Sequence, residues 1–170
     1  MVELSPIEWA VLPLKKYATF SGRAPRAEYW WFYLGTVIVQ IPLTILDSGL
    51  GEWAPLSSLF SLVTLLPWLA VSVRRLHDIN RSGWWLFALF ATIILVAITW
   101  VAAFGSLGAD FNAADSEPSG SMVIGMIVGV IAVTVIAIAV LMFSVKPGTD
   151  GPNDYGADPY GRDNLQEVFA

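Results

Sequence analysis

Cysteine is absent from this chain, and histidine occurs once in its 170 residues. Without thiols the chain forms no disulfide and offers no cysteine ligand to a metal ion. One histidine is also too few for an ordinary zinc site. We therefore expect no metal and no cofactor, and the sequence offers no catalytic constellation of known type.

Charge is scarce as well. Charged residues make up 14% of the chain, against about 25% in a typical soluble protein, while hydrophobic residues make up 56%. The apolar residues are gathered into blocks of about 20 residues, the length of helix that crosses a bilayer. Continuous apolar runs such as residues 93–98 lack the alternation of a membrane β-barrel strand. The blocks are therefore predicted to be helices, because lipid leaves no other way to satisfy the backbone.

The predicted fold class is all-α: a polytopic membrane protein with a four-transmembrane-helix bundle and a short N-terminal interfacial helix. The bundle occupies residues 29–145, after an N-terminal cytoplasmic or interfacial segment (1–28) and before a turn-rich cytoplasmic tail (146–170). The four predicted spans cover approximately residues 29–46, 54–73, 84–107 and 122–145. Ser5-Pro6-Ile7-Glu8 has the form of a capping box and predicts that the short helix begins there.

Lys and Arg alternate along the chain in a way that predicts its orientation. Four precede the first span, three lie in the hairpin between spans two and three, two lie in the tail, and the loops 47–53 and 108–121 have none. Because positive residues favour the cytoplasmic side, we expect both termini and the hairpin to be cytoplasmic, in a multi-pass protein of the bacterial inner (plasma) membrane. No cleavable signal peptide is expected, since the first apolar block starts only near residue 29.

The hairpin between spans two and three carries the densest group of polar side chains. If the second span stays helical here, Arg74, His77 and Asp78 share one face, and Arg74 can pair with Asp78. Arg and His beside a carboxylate can bind a phosphate or move a proton. The alternative is topological, because arginines at a cytoplasmic helix end hold the span in place.

Arginines also lie at predicted helix starts, where free backbone N–H groups attract anions. Arg23 and Arg26 precede span one, and Arg81 with Ser82 precedes span three, so an anionic lipid headgroup is the natural ligand. The candidate residues for binding anionic lipid or a partner are Arg23, Arg26, Arg74, Arg75, His77, Asp78, Arg81 and Ser82. Interface anchors are predicted at Trp30, Trp31, Trp84 and Trp85.

Small residues recur every four positions in span four, at Ser121, Gly125 and Gly129. Such a stripe permits close helix packing, either inside the bundle or between two copies in a homo-oligomer. Both readings stay open. No nucleic-acid partner is expected.

Three functions follow from these features. The first is a non-enzymatic module whose cytoplasmic Arg and Trp layer engages anionic lipid or a partner protein. The second is a small transporter or channel subunit, with Gln40 and the helix breaks at Pro42 and Pro67 lining a path. The third is an enzyme acting on a lipid headgroup with His77 and Asp78. No span has an ionisable residue in its middle, which argues against proton-coupled transport.

Three segments together resemble a known family. They are residues 16–31, which include Ser21-Gly22-Arg23; residues 75–85, which begin Arg75-Leu76-His77-Asp78; and residues 151–159. They resemble the bacterial inner-membrane proteins of the YhaH/YhaI type, the domain-of-unknown-function family 805, over about residues 14–160. The resemblance implies a small polytopic inner-membrane protein without a settled biochemical activity.

Overall fold

The computed structural model describes residues 4–50, 55–110 and 120–161. These residues form five α-helices, α1 (Pro6–Lys15), α2 (Arg26–Leu50), α3 (Leu56–Asp78), α4 (Trp84–Asp110) and α5 (Gly120–Val145). The described segments contain no β-strand, only an isolated bridge between Asn153 and Gly156. The all-α class, with four long apolar helices after a short N-terminal one, is confirmed.

Length and composition allow three of these helices to cross a membrane: α2, α3 and the Val123–Val145 part of α5. In α4, a shorter apolar stretch covers Trp84–Ile98 among the residues searched. The helices extend a few residues past the predicted spans. Asp47, expected in a loop, therefore lies in the last turns of α2.

The chain divides into two compact units, one made of Met1–Gly83 with Phe143–Ala170 and the other of Trp84–Met142. In the second unit Gly129 of α5 faces Trp100 of α4, and a Cβ at this glycine would lie 2.8 Å from Trp100 Cε2. This glycine therefore serves packing within the chain. The space around Gly125 is open, and the side chain of Ser121 lies outside the described residues.

Helix α1 begins with the predicted capping box. The Ser5 hydroxyl accepts the Glu8 backbone N–H at 3.3 Å, and the Glu8 carboxylate accepts the Ser5 N–H at 2.7 Å. These hydrogen bonds lower the pKa of Glu8 below its usual value. The helix then packs against α2 at a small-residue contact, because a Cβ placed on Gly35 would lie 3.5 Å from the Cβ of Ala10.

Pro67 interrupts the hydrogen bonding of α3. A proline inside a helix has no N–H for the carbonyl four residues earlier, which here is Val63. The hydroxyl of Tyr17 donates to that carbonyl at 2.7 Å. The segment after α1 therefore supplies the hydrogen bond that the helix lacks, which is valuable where water is excluded.

The N-terminus of α3 is capped by Asp47 of α2. The Asp47 carboxylate accepts the backbone N–H groups of Leu56 at 3.1 Å and Ser57 at 2.9 Å, and also the Ser57 hydroxyl at 2.5 Å. A carboxylate at a helix start satisfies free N–H groups and complements the helix dipole. Asp47 thereby links the end of α2 to the start of α3.

Replacing Asp47 by Ala should lower the stability of the protein, because the backbone N–H groups at the start of α3 lose their cap. The measurement is the thermal midpoint followed by tryptophan fluorescence in detergent. The neighbouring change Ser48→Ala is the control, because the Ser48 hydroxyl donates only within its own helix, to the Ile45 carbonyl. Equal midpoints for the two variants would contradict the role of Asp47.

Candidate functional site

The candidate site is a group of ionised side chains where the start of α2 meets the end of α3. We call it the charge cluster, and it consists of Lys16, Arg23, Glu28, Arg74, Arg75 and Asp78. Except for Lys16, each of these side chains is at most 4% exposed. Buried charges of this kind are stable only when they are paired and hydrogen-bonded.

Glu28 organises one side of the charge cluster. Its carboxylate accepts Arg74 Nη1 at 2.7 Å and lies 3.4 Å from Lys16 Nζ. Arg74 also donates from Nε to the Ala70 carbonyl at 3.4 Å. Its Nη2 has no hydrogen-bond partner in the described part of the chain. The expected Arg74–Asp78 pair does not form, because the Arg74 side chain pairs with Glu28 of α2 instead.

Asp78 organises the other side. Its Oδ1 accepts Arg23 Nε at 3.0 Å, and its Oδ2 accepts Arg75 Nη1. Arg23 comes 55 residues earlier in the chain, so this carboxylate joins the N-terminal segment to the end of α3. The backbone adds a further link, since the Ala24 N–H donates to the Arg74 carbonyl at 3.0 Å. The two arginine groups that the sequence placed separately therefore meet.

The segment after α5 closes over this junction, and we call residues 146–156 the tail strap. Arg23 holds the strap through three backbone carbonyls. Its Nη2 donates to Thr149 at 2.5 Å, and its Nη1 donates to Gly151 at 2.6 Å and Gly156 at 3.4 Å. The buried guanidinium of Arg23 thus binds one carboxylate and three backbone carbonyls of the strap.

Arg75 holds the point where α5 passes into the strap. Its Nε donates to the Ser144 carbonyl at 3.3 Å, and its Nη2 donates to the Lys146 carbonyl. The Thr149 N–H donates to the Asp78 carbonyl at 2.8 Å. The strap therefore bonds to both the side chain and the backbone of the α3 end.

His77 lies between the N-terminal segment and the strap. Its Nδ1 is 3.1 Å from the Gly22 carbonyl, which requires the proton on Nδ1 for a hydrogen bond. Its ring stacks on Tyr155 with centroids 4.0 Å apart and planes inclined by 7°. The Asn153 side-chain amide donates to the His77 carbonyl at 2.9 Å. These contacts give the histidine a structural role at the junction.

The chain leaves α3 through a tight C-terminal turn. The Arg81 N–H donates to the Leu76 carbonyl at 2.9 Å and the Asn80 N–H donates to the His77 carbonyl at 3.0 Å, while Asn80 has a positive φ of 55°. This is a Schellman motif, in which asparagine takes the left-handed position. It brings Arg81 to the surface beside the half-buried Ser82.

The predicted site residues therefore divide by burial. Arg23, Arg74, Arg75 and Asp78 are buried in the charge cluster, and His77 is half-buried beneath the strap. Arg26 and Arg81 are exposed, as are the four predicted tryptophan anchors, Trp30, Trp31, Trp84 and Trp85. Among the residues searched, no group of His, Asp or Glu could hold a metal ion.

Sequence reasoning missed several members of this site. Glu28 and Lys16 complete the charge cluster, and Asn153 and Tyr155 fasten the strap to His77. A usable signal existed for Glu28, because an acidic residue directly before the uncharged predicted span 29–46 needs a partner. All four lie in the segments that carry the family resemblance.

Replacing Asp78 by Ala should destabilise the protein by about 3 to 5 kcal/mol, because the change leaves two buried arginines without their carboxylate. The strap should also become sensitive to limited proteolysis, since Arg23 and Arg75 hold it. The exposed Asp154 of the strap provides the control, and Asp154→Ala should change stability by less than about 0.5 kcal/mol. A thermal midpoint and a cleavage pattern unchanged by Asp78→Ala would contradict this account.

Comparison of the sequence with known proteins places the chain in a family. The model of the family described as "Protein of unknown function (DUF805)" matches residues 17–157, which include every member of the charge cluster except Lys16 and all of the tail strap. No solved structure matches the chain.

Several relatives come from Escherichia coli strain K12. Inner membrane protein YhaI is 41% identical over 114 residues, which cover 65% of this chain and 97% of that protein. Inner membrane protein YhaH is 42% identical over 85 residues, covering 46% of this chain and 69% of that protein. The chain is therefore an integral inner-membrane protein and belongs to the DUF805 family of unknown function.

Proposed function

We propose that this protein is a non-enzymatic membrane module that engages anionic lipid headgroups at the membrane surface beside the charge cluster. The observation that carries the proposal is a stripe on α2. Arg26, Trp30 and Tyr33 are spaced by four and three residues and so share one helix face. All three are exposed. The rings of Trp30 and Tyr33 meet edge to face at 5.9 Å.

This stripe has the composition of a headgroup anchor. Trp and Tyr favour the boundary between headgroups and acyl chains, because they combine an apolar ring with a polar group. A cation one turn away, at the exposed start of the helix, then lies where a lipid phosphate is found. Helix N-termini favour the same anion through their free N–H groups. The stripe therefore combines a depth anchor with a charge suited to phosphate.

Burial narrows the set of predicted arginines that could bind a lipid headgroup. Arg23, Arg74 and Arg75 are enclosed and bonded to carboxylates and carbonyls of the protein. Within the described residues, Arg26 makes a long contact of 3.5 Å to the Val145 carbonyl at an exposed position. It is therefore the cation best placed to exchange its contact for a phosphate.

We also propose that this end of the protein is cytoplasmic. The N-terminal segment, the end of α3 and the tail strap meet in the charge cluster, so these three segments lie on one side of the membrane. They are also the segments that carry Lys and Arg, which favours the cytoplasmic side. Both termini would then be cytoplasmic.

The contacts of His77 and Asp78 favour a non-enzymatic role. The histidine ring is stacked on Tyr155, and the carboxylate is held by two arginines. A general acid or base must reach a substrate atom within hydrogen-bond distance. The Nδ1 atom of His77 and both carboxylate oxygens of Asp78 are already bonded within the protein.

A second candidate function, small-solute transport, is favoured by a cavity between α2 and α3 that Gln40 lines. Pro42 and Pro67, which we expected along the same path, do not line it.

Lipid preference can be measured by native mass spectrometry of protein released from mixed phosphatidylglycerol and phosphatidylcholine. The wild type should retain the anionic lipid preferentially. Arg26→Gln should reduce that preference about fivefold, since one cation near an anionic surface contributes about 1 kcal/mol. Arg26→Lys, which keeps the charge, should preserve most of it. Retention that is indifferent to headgroup charge would contradict the proposal, and so would an unchanged preference in Arg26→Gln.

Orientation can be tested with engineered single cysteines, because the chain has none of its own. In intact cells an impermeant thiol reagent should label Gly49→Cys, at an exposed position near the end of α2. Asp154→Cys in the tail strap should react only after the membrane is permeabilised. The reverse pattern would place the charge cluster outside the cytoplasm.

A further inference from the structure

Helices α2 and α3 line an open cavity of about 350 Å³ away from both of their ends. Its polar lining consists of Thr36, Gln40, Ser61 and Thr64, and its apolar lining includes Phe60 and Trp68. At 1.5 Å per helical residue, Thr36 lies about 12 Å along α2 from Glu28, and Gln40 about 11 Å from Asp47. The cavity is therefore near the middle of the predicted span.

The polar lining is an organised face of each helix. Thr36 and Gln40 are four residues apart on α2, and Ser61 and Thr64 are three apart on α3, so each pair shares a face. Another side of α2 at this depth carries apolar side chains, and Ile41 and Ile45 are 56% and 64% exposed. Helix α2 thus presents polar side chains to the cavity and apolar side chains to its surroundings.

The three hydroxyl groups donate to carbonyls of their own helices. Each bond reaches a carbonyl three or four residues earlier, at 2.7 Å for Thr36 and 2.8 Å for both Ser61 and Thr64. A hydroxyl that donates in this way keeps oxygen lone pairs that can accept a hydrogen bond. The cavity wall therefore offers acceptors.

Gln40 offers a donor. Its amide nitrogen donates to the Ser57 carbonyl at 3.4 Å, and its amide oxygen lies 3.3 Å from the Ser61 hydroxyl. Both distances exceed the usual 2.8 to 3.0 Å by several tenths of an ångström. An amide nitrogen has two N–H groups, so Gln40 has capacity to bond a molecule in the cavity.

The environment and the lining define the occupant. Polar groups at membrane depth are tolerated where they are buried in protein or line a water-filled cavity. No ionisable side chain is among the lining residues, so a charged ligand would find no counter-charge and would lose its hydration. The combination of donors, acceptors and the apolar surfaces of Phe60 and Trp68 suits a neutral molecule with several hydroxyls on a short carbon chain.

We propose that this cavity is a hydrated binding site for a small uncharged polyol. At about 30 Å³ per water molecule, its volume equals roughly a dozen waters, or one small polyol with residual water. The proposal is independent of lipid binding by Arg26, since it concerns other residues at another depth. A second copy of the chain or a lipid chain in the cavity are the competing occupants.

Hydration can be tested by thiol reactivity, with Ser61→Cys in the cavity and Ile41→Cys on the apolar face as a control at similar depth on α2. A small hydrophilic methanethiosulfonate reacts with the thiolate, which forms readily only where water reaches the sulfur. In proteoliposomes Ser61→Cys should react at least about tenfold faster than Ile41→Cys. Equal rates at the two positions would overturn the proposal, because the cavity would then be no wetter than the lipid-facing surface.

The polyol is tested by protection with glycerol as the probe. Glycerol should slow labelling of Ser61→Cys relative to Asp154→Cys, whose exposed position corrects for viscosity. Adding Gln40→Leu to the Ser61→Cys protein should remove the protection while the thermal midpoint shows that the protein remains folded. Protection that survives Gln40→Leu, or no protection at all, would overturn the polyol assignment. Efficient oxidative cross-linking of Ser61→Cys into dimers would also overturn it, in favour of a second copy.

Discussion

The carboxylate of Asp78 is the interaction on which the charge cluster depends. It pairs with Arg23 from the N-terminal segment and with Arg75 one turn earlier in α3. Those two arginines in turn hold the tail strap through its carbonyls. Three distant parts of the chain are thus joined at one buried charge, and removing it would leave two desolvated guanidinium groups. Few single changes elsewhere in the described chain would disconnect as much.

Arginine occurs in two environments in this protein, one buried and one exposed. Arg23, Arg74 and Arg75 direct their planar groups of donors at carboxylates and backbone carbonyls, a use to which guanidinium is better suited than ammonium. Arg26 lies outside the enclosed region, one turn from an exposed tryptophan. The buried arginines fix the architecture of one end of the protein, and the exposed Arg26 is the one that we propose for headgroup binding. Residue type alone did not distinguish the two environments.

Polar groups within the span also occur in two hydrogen-bonding arrangements. The Val63 carbonyl, freed by Pro67, is satisfied by the Tyr17 hydroxyl, so the turn after α1 completes the hydrogen bonding of α3. Gln40 and the nearby hydroxyls instead line open space and keep part of their hydrogen-bonding capacity. The first arrangement closes a defect in the backbone. The second leaves hydrogen-bonding capacity facing the cavity, which is the physical basis of the proposed hydrated site.

The sequence by itself determined the helical class, the four long apolar helices and the capping box at Ser5, because these depend on runs and spacings of a few to about 20 residues. It also identified Asp78 and Arg23 as candidate binding residues. Only the tertiary structure decided that they pair, that Arg74 binds Glu28, and that the strap covers His77. These partners lie 46 to 76 residues apart, and the direction in which each helix face points is set by packing against its neighbours. In a buried site that direction decides which opposite charges meet.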